Sequence, residues 1–257
     1  MKNLLVKKAV LPCAGKGTRM APITEILPKE LLPLNCKPTI WYILTECLEG
    51  GIEEVCVITS KSKPLIEQYV TKEFGDKLKL TFVYQEVMNG TAKAVYLAKD
   101  FVGESSFLYA NPDCLFSSFL PTKELIKKSE GQNVLSVFHG TEEELSKFSV
   151  DEFVSQPPER GKLNKISRIL EKPTAEETTS RYMGYWRAVF TSEIFSLLEQ
   201  VVPSKNGEYQ LTDAIESFAK QGKLFGLLSP ENEILFDAGA KLGYAEANLY
   251  FTKNPIK

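Results

Sequence analysis

Strand-like and helix-like patterns alternate along the first half of the chain, and this alternation restricts the fold more than any other feature. Lys8-Ala9-Val10-Leu11-Pro12 is a short apolar run that reads as a buried strand. Pro38 opens a helical pattern through Trp41, Ile43, Leu44 and Leu48, which Gly50-Gly51 stops. Val55 to Thr59 reads as a strand, Pro64 to Phe74 as a helix, Leu80 to Gln85 as a strand, Thr91 to Asp100 as a helix and Phe107 to Ala110 as a strand. Strands joined through helices at this pitch pack as right-handed crossovers. The predicted class is therefore α/β: a mostly parallel, Rossmann-like twisted sheet with flanking helices.

The rhythm loosens after His139. Residues Glu142 to Pro158 are acidic and irregular, followed by strand candidates at Lys165 to Leu170 and Met183 to Phe190. Helices fit Ser192 to Val201 and Leu211 to Gln221, with a strand at Leu224 to Leu228 and a last helix from Gly243. A chain of 257 residues accommodates one large domain. The expectation is a single domain over residues 1–257, its second portion (about 141–257) smaller and more mixed α+β than its first (about 1–140).

Ligands of parallel sheets gather beyond the C-terminal strand ends. The loops after the first, third and fourth of these strands should then share a crevice, and they carry the unusual chemistry. Ala14-Gly15-Lys16-Gly17-Thr18-Arg19-Met20 follows the first strand, with Pro28-Lys29-Glu30-Leu31-Leu32-Pro33 close behind. Two glycines let a backbone turn tightly and aim N–H groups at an anion, while Arg19 and Lys29 add positive charge. Net charge is −2, so no global basic field favours nucleic acid or an anionic membrane, and any anion must be held by such local devices. Walker A fails because no Ser or Thr follows Gly15-Lys16, and the dinucleotide fingerprint fails because Met20 replaces its third glycine. His139 is the sole histidine, which excludes catalytic triads and multi-histidine metal sites. Cys13, Cys36, Cys47, Cys56 and Cys114 form no CxxC pair and read as reduced thiols of a cytoplasmic protein. The N-terminal residues lack the pattern of a secretory signal, and no apolar stretch is free enough of charge to span a membrane.

Leu11-Pro12-Cys13-Ala14-Gly15-Lys16-Gly17-Thr18-Arg19-Met20 with Pro28-Lys29-Glu30-Leu31-Leu32-Pro33-Leu34 resembles the signature of the sugar-1-phosphate nucleotidylyltransferases. Glu171-Lys172-Pro173, Tyr209-Gln210-Leu211-Thr212-Asp213 and Asp237-Ala238-Gly239-Ala240-Lys241-Leu242-Gly243-Tyr244 extend the likeness, in order and spacing, from about Lys8 to about Tyr250. The bacterial uridylyltransferase branch, which uses UTP and glucose 1-phosphate, is the most similar. The resemblance implies a nucleoside triphosphate and a sugar 1-phosphate as partners and Mg²⁺ as cofactor. It places Ala14, Gly15, Gly17, Thr18 and Arg19 on the triphosphate, with Lys29, and Gln85, Gly90 and Thr91 at the base. Gln85 suits the alternating edge of uracil or thymine, since an amide both donates and accepts. Asp113 and Asp237 match the metal carboxylates, Glu171 a sugar-hydroxyl acceptor, and Lys172 the grip on the sugar phosphate. Arg19, Lys29 and Lys172 are thus the candidate catalytic residues. Two carboxylates without histidine suit a hard cation that prefers oxygen.

Four departures from that branch bear on the sugar and on assembly. Ser149 stands where the branch has a glycine, and Trp186 aligns with another unless a local shift puts Gly184 there. Glu25 replaces a frequent lysine, and the segment from Phe74 to Leu80 is shorter than a helical insertion that contributes to oligomer contacts. A homo-oligomer, dTTP or CTP as donor, another sugar, and a non-catalytic nucleotide-sugar-binding protein all stay open at this point.

Overall fold

Ala9, Val10 and Leu11 are all fully buried in a computed structural model that describes residues 6–204 and 207–256. A strand buried on both faces belongs in the middle of a sheet with helices on either side. The strands are β1 (Lys8–Pro12), β2 (Pro33–Leu34), β3 (Lys37–Pro38), β4 (Glu54–Thr59), β5 (Lys79–Tyr84), β6 (Phe107–Ala110), β7 (Cys114–Phe116), β8 (Asn133–His139), β9 (Ser149–Phe153), β10 (Leu163–Glu171), β11 (Tyr182–Phe190), β12 (Leu224–Leu228) and β13 (Leu235–Asp237). The helices are α1 (Thr39–Glu49), α2 (Pro64–Phe74), α3 (Thr91–Tyr96), α4 (Lys99–Val102), α5 (Leu120–Ser129), α6 (Ile194–Leu198), α7 (Leu211–Lys220) and α8 (Lys241–Lys253). None is long and apolar enough to cross a membrane.

Nine strands form one sheet in the order β5-β4-β1-β6-β11-β8-β12-β10-β9. Alternate β1 side chains enter opposite cores, as a period of two requires. Ala9 and Leu11 meet Ile43 and Leu44 of α1, Val70 of α2 and Phe251 of α8. Val10 meets Val95 of α3, Phe195 of α6 and Phe218 of α7.

The sheet is mixed rather than mostly parallel in its pairing. β1, β4, β5 and β6 pair in parallel, as the helical crossovers between them demand. β11 then inserts antiparallel between β6 and β8, and β10 is antiparallel to β12 and β9. Strands from both halves of the chain therefore share one sheet. The helix expected over Thr91 to Asp100 is divided, because i→i−3 bonds from Leu97 to Ala94 and from Ala98 to Val95 tighten the turn between α3 and α4. The irregular acidic stretch contains β9. Its Ser149, Val150 and Asp151 are all buried, so no polar–apolar alternation betrays the strand.

Candidate functional site

β1 delivers the chain into the glycine-rich loop, where Gly17 takes a left-handed φ of 68° and its carbonyl accepts a bond from Thr24 Oγ1 at 2.9 Å. Thr18–Met20 then forms a short 3₁₀ turn carrying Arg19. Lys29 sits on a second 3₁₀ turn, Lys29–Leu31. These pieces form one wall of a cleft of about 630 Å³ beyond the C-terminal end of β1.

Asp113 lies in the turn between β6 and β7, and Asp237 ends β13. They meet because β7 and β13 pair antiparallel with Asp237 opposite Cys114, and the Ala238 N–H donates to the Asp113 carbonyl at 2.8 Å. Lys29 Nζ donates to Asp113 Oδ2 at 2.5 Å, and Arg19 donates through Nη1 to Asp237 Oδ2 at 2.8 Å. Arg19 Nη2 also stands 3.9 Å from Asp113 Oδ2, so two cations and two carboxylates interleave on the cleft floor. Burial alone raises the Asp113 carboxyl, but Lys29 and Arg19 outweigh it and hold the group below the usual carboxylate range. Burial works against the Lys29 ammonium as well, and Asp113 with Glu30 nevertheless raises it above the ordinary lysine range.

Gln85, Met88, Gly90 and Thr91 line the cleft. Among the described residues no protein group bonds the Gln85 side-chain amide. Gly90 has φ 118°, and a Cβ there would collide with the Tyr209 backbone. Lys147, Phe148, Glu171, Lys172 and Trp186 line it too, with Thr212 from the start of α7. Thr212 Oγ1 donates to Glu171 Oε2 at 2.6 Å, and Lys172 Nζ lies 3.7 Å from Glu171 Oε1 with over half its side chain exposed. Lys172 itself has φ 47°, a strained conformation for a residue with a side chain.

Ala14, Gly15, Gly17, Thr18, Arg19, Lys29, Gln85, Gly90, Thr91, Asp113, Glu171, Lys172 and Asp237 thus line a single cleft. Gly184 does not stand in its wall. It is buried against Ser149, and a Cβ there would reach 2.9 Å from Ser149 Oγ. A bulge in β11 between Gly184 and Ala188 turns Trp186 to φ 44° and presents Trp186 to the cleft instead. His139 ends β8 edge-on to Tyr182, remote from the cleft lining.

Two supporting cations carry no motif in the sequence. Arg187 is 1% exposed and joins Glu46 through Nε at 2.7 Å and Nη2 at 3.1 Å. It also donates to the carbonyls of Asn111 at 2.9 Å and Cys114 at 2.7 Å, bracketing the turn that bears Asp113. Lys63 grips the glycine-rich loop from behind. Long-range partners of this kind leave no local pattern.

Among the described residues no group of three or more His, Cys, Asp or Glu side chains is placed to hold a metal. The donor set available is Asp113 with Asp237, all oxygen, completed only by ligand or water. Gly239 keeps the space beside them clear, since a Cβ there would collide with Asp113 Oδ2. That chemistry fits Mg²⁺, which retains waters and substrate oxygens.

The chain is similar to known proteins in both sequence and fold. The sequence pattern described as nucleotidyl transferase matches residues 8–254. A UTP–glucose-1-phosphate uridylyltransferase of Streptococcus pneumoniae serotype 4 is 34% identical, over 97% of this chain and 92% of its own. The enzyme of that name from Bacillus subtilis strain 168 is 31% identical, over 96% and 91%. A UDP-glucose pyrophosphorylase solved with UDP-glucose superposes with a TM-score of 0.88 at 28% identity, covering 97% of this chain and 99% of that one. A UTP-bound counterpart from Acinetobacter baumannii gives 0.86 at 28% identity, covering 98% and 95%. With its glycine-rich loop, paired carboxylates and sheet order all inside the matched span, the chain belongs to the nucleotidyl transferase family.

Proposed function

We propose that this protein transfers the uridylyl group of UTP to glucose 1-phosphate, giving UDP-glucose and pyrophosphate. The observation that carries the reading is the interleaved floor of Lys29, Asp113, Arg19 and Asp237, set between a glycine-rich loop and Lys172. The names of the relatives supply the two substrates. In this reading residues of about 1–140 hold the nucleotide and residues of about 141–257 hold the sugar.

An oxygen of the sugar phosphate forms the new bond to the α-phosphorus as the bond from that phosphorus to the β-phosphate oxygen breaks. The nucleophile is already ionised at neutral pH, so no general base is needed and a site without histidine suffices. The protein's task is positioning and charge neutralisation. Lys172 orients the sugar phosphate for in-line attack, and Glu171 accepts from sugar hydroxyls with Thr212 fixing its carboxylate. Arg19 and Lys29 balance the charge that accumulates on departing pyrophosphate. Gln85 offers its amide to the O4/N3–H edge of the pyrimidine, with Gly90 and Thr91 also at the base. Asp113 and Asp237 would hold Mg²⁺, which when bound would supply positive charge against the phosphates. In the ligand-free protein Lys29 and Arg19 neutralise these two carboxylates.

A screen of UTP, dTTP, CTP and GTP against a panel of sugar 1-phosphates with Mg²⁺, read as pyrophosphate release, tests the proposal. UTP with glucose 1-phosphate is expected to give the highest kcat/KM. Turnover centred on another pair replaces the substrates, and silence across the panel favours a binding protein that has lost turnover.

A further inference from the structure

Lys63 ends the connection between β4 and α2, directly before Pro64 in the first helical turn. An ammonium has three protons, and three acceptors surround this one: the Cys13 carbonyl at 2.9 Å, the Gly15 carbonyl at 2.6 Å and Glu30 Oε2 at 3.1 Å. The lysine side chain is 12% exposed and the glutamate side chain fully buried. Lys63 is absent from the cleft wall, so it acts on the glycine-rich loop from the side opposite the ligand space.

In a planar trans peptide the C=O and the next residue's N–H point in opposite directions. Drawing the Cys13 carbonyl backward therefore aims the Ala14 N–H forward, and drawing the Gly15 carbonyl backward does the same for Lys16. Ala14 and Lys16 both line the cleft, and among the described residues neither amide donates a hydrogen bond. Two free donors held toward a space flanked by Arg19 and Lys29 form an anion-binding concavity.

We propose that Lys63 is a positioning residue for the nucleotide: it fixes the 13–14 and 15–16 peptides so that the amides of Ala14 and Lys16 meet the triphosphate. This rests on the reading that the triphosphate occupies the glycine-rich loop. A purely structural Lys63 would serve only to neutralise Glu30, and the two roles separate by substitution. Glu30→Gln removes the charged partner and leaves both carbonyl bonds. Glu30→Gln with Lys63→Met removes the carbonyl bonds as well, without stranding a buried carboxylate. Lys63→Arg keeps Glu30 paired, but a planar fork cannot converge on the three acceptors that a compact ammonium reaches.

Calorimetric titration with UTP and Mg²⁺, steady-state kinetics, and ¹⁵N relaxation of the ligand-free protein provide the readouts. Glu30→Gln is expected to bind UTP within about threefold of the parent protein. The double variant and Lys63→Arg are expected to bind it at least tenfold more weakly, roughly the loss of one charge-assisted hydrogen bond. KM for UTP should rise with them while KM for glucose 1-phosphate stays unchanged. In the same two variants, and not in Glu30→Gln, the order parameters of the Ala14 and Lys16 amides should fall from about 0.85 to below about 0.6. Should the double variant and Glu30→Gln share the same UTP affinity and the same order parameters, the assignment is overturned. If the double variant does not fold, the same comparison between Lys63→Arg and Glu30→Gln decides the question. If the parent protein binds no triphosphate while the order parameters still separate, the proposed function fails and the control of the loop by Lys63 stands.

Discussion

Replacing Arg187 with methionine tests how the catalytic floor is supported. The guanidinium is fully buried, joined twice to Glu46, whose side chain is 3% exposed, and it also satisfies the Asn111 and Cys114 carbonyls. Removing one member of a buried ion pair typically costs about 3–5 kcal/mol, because a charge is left in a low dielectric without its partner. For a domain of this size that corresponds to a fall in Tm of roughly 6–20 °C. Urea unfolding with an unchanged m value measures the loss directly. Pairing Arg187→Met with Glu46→Leu removes the stranded carboxylate, and most of the lost stability should return, as it does when apolar groups replace buried pairs. Activity should not return with it, because the Asn111 and Cys114 carbonyls have lost the guanidinium that ties them together, and the turn holding Asp113 is no longer fixed from below. We expect kcat of the double variant to remain at least tenfold below the parent. A double variant restored in both stability and kcat would show that Arg187 contributes only to the core. A loss below about 1 kcal/mol in the single variant would contradict the burial of the pair.

Arg19→Ala is expected to lower kcat by on the order of 10²-fold, as for other preorganised charge-stabilising groups; a change confined to the KM for UTP would assign Arg19 to ground-state binding instead. Asp151 is fully buried, among the described residues neither carboxylate oxygen has a hydrogen-bond partner, and burial pushes its carboxyl well above the usual range. The folded protein then binds a proton that the unfolded chain releases above about pH 3.9, so this group's contribution falls as pH rises above that value. Asp151→Asn should gain stability over the parent between pH 5 and 7, and a parallel pH dependence in the two proteins would refute the assignment. Trp186→Gly relieves the strain of a left-handed φ of 44° and removes an indole that lines the cleft. It is expected to widen the range of sugar 1-phosphates accepted, read as ratios of kcat/KM, and unchanged ratios would mean that the indole does not shape that pocket.

The first half of the fold is legible in the sequence because its central strands β1, β4 and β6 are buried on both faces and its helices carry an apolar stripe, so the chain pattern reports the layers directly. β1, α2 and β6 fall on the ranges expected from that pattern, as does β12 in the second half. β7, β9 and β13 carry no such signal. Two are three residues long, and β9 buries Ser149 and Asp151, which local hydropathy assigns to a surface. The antiparallel insertion of β11 between β6 and β8 depends on pairing across distant segments, which no local period encodes. The cleft residues Arg19, Lys29, Gln85, Asp113, Glu171, Lys172 and Asp237 are legible through the resemblance of their motifs to a known family, since a lone carboxylate or amide at a strand end carries no such signal by itself. Lys63 and Arg187 are not, because Lys63 grips carbonyls 48 and 50 residues away and Arg187 grips carbonyls 73 and 76 residues away. Trp186 marks the limit of alignment by motif: a bulge, which sequence does not announce, decides that it and not Gly184 faces the cleft.

Bond formation at the α-phosphorus can be followed directly with labelled oxygen. Glucose 1-phosphate carrying ¹⁸O at its phosphate oxygens is incubated with UTP, Mg²⁺ and the protein, and the products are resolved by mass spectrometry. Attack of the sugar phosphate on the α-phosphorus predicts UDP-glucose that retains every labelled oxygen, together with an equal amount of unlabelled pyrophosphate. Label in pyrophosphate or in free phosphate, or consumption of UTP without a nucleotide sugar, would contradict the account.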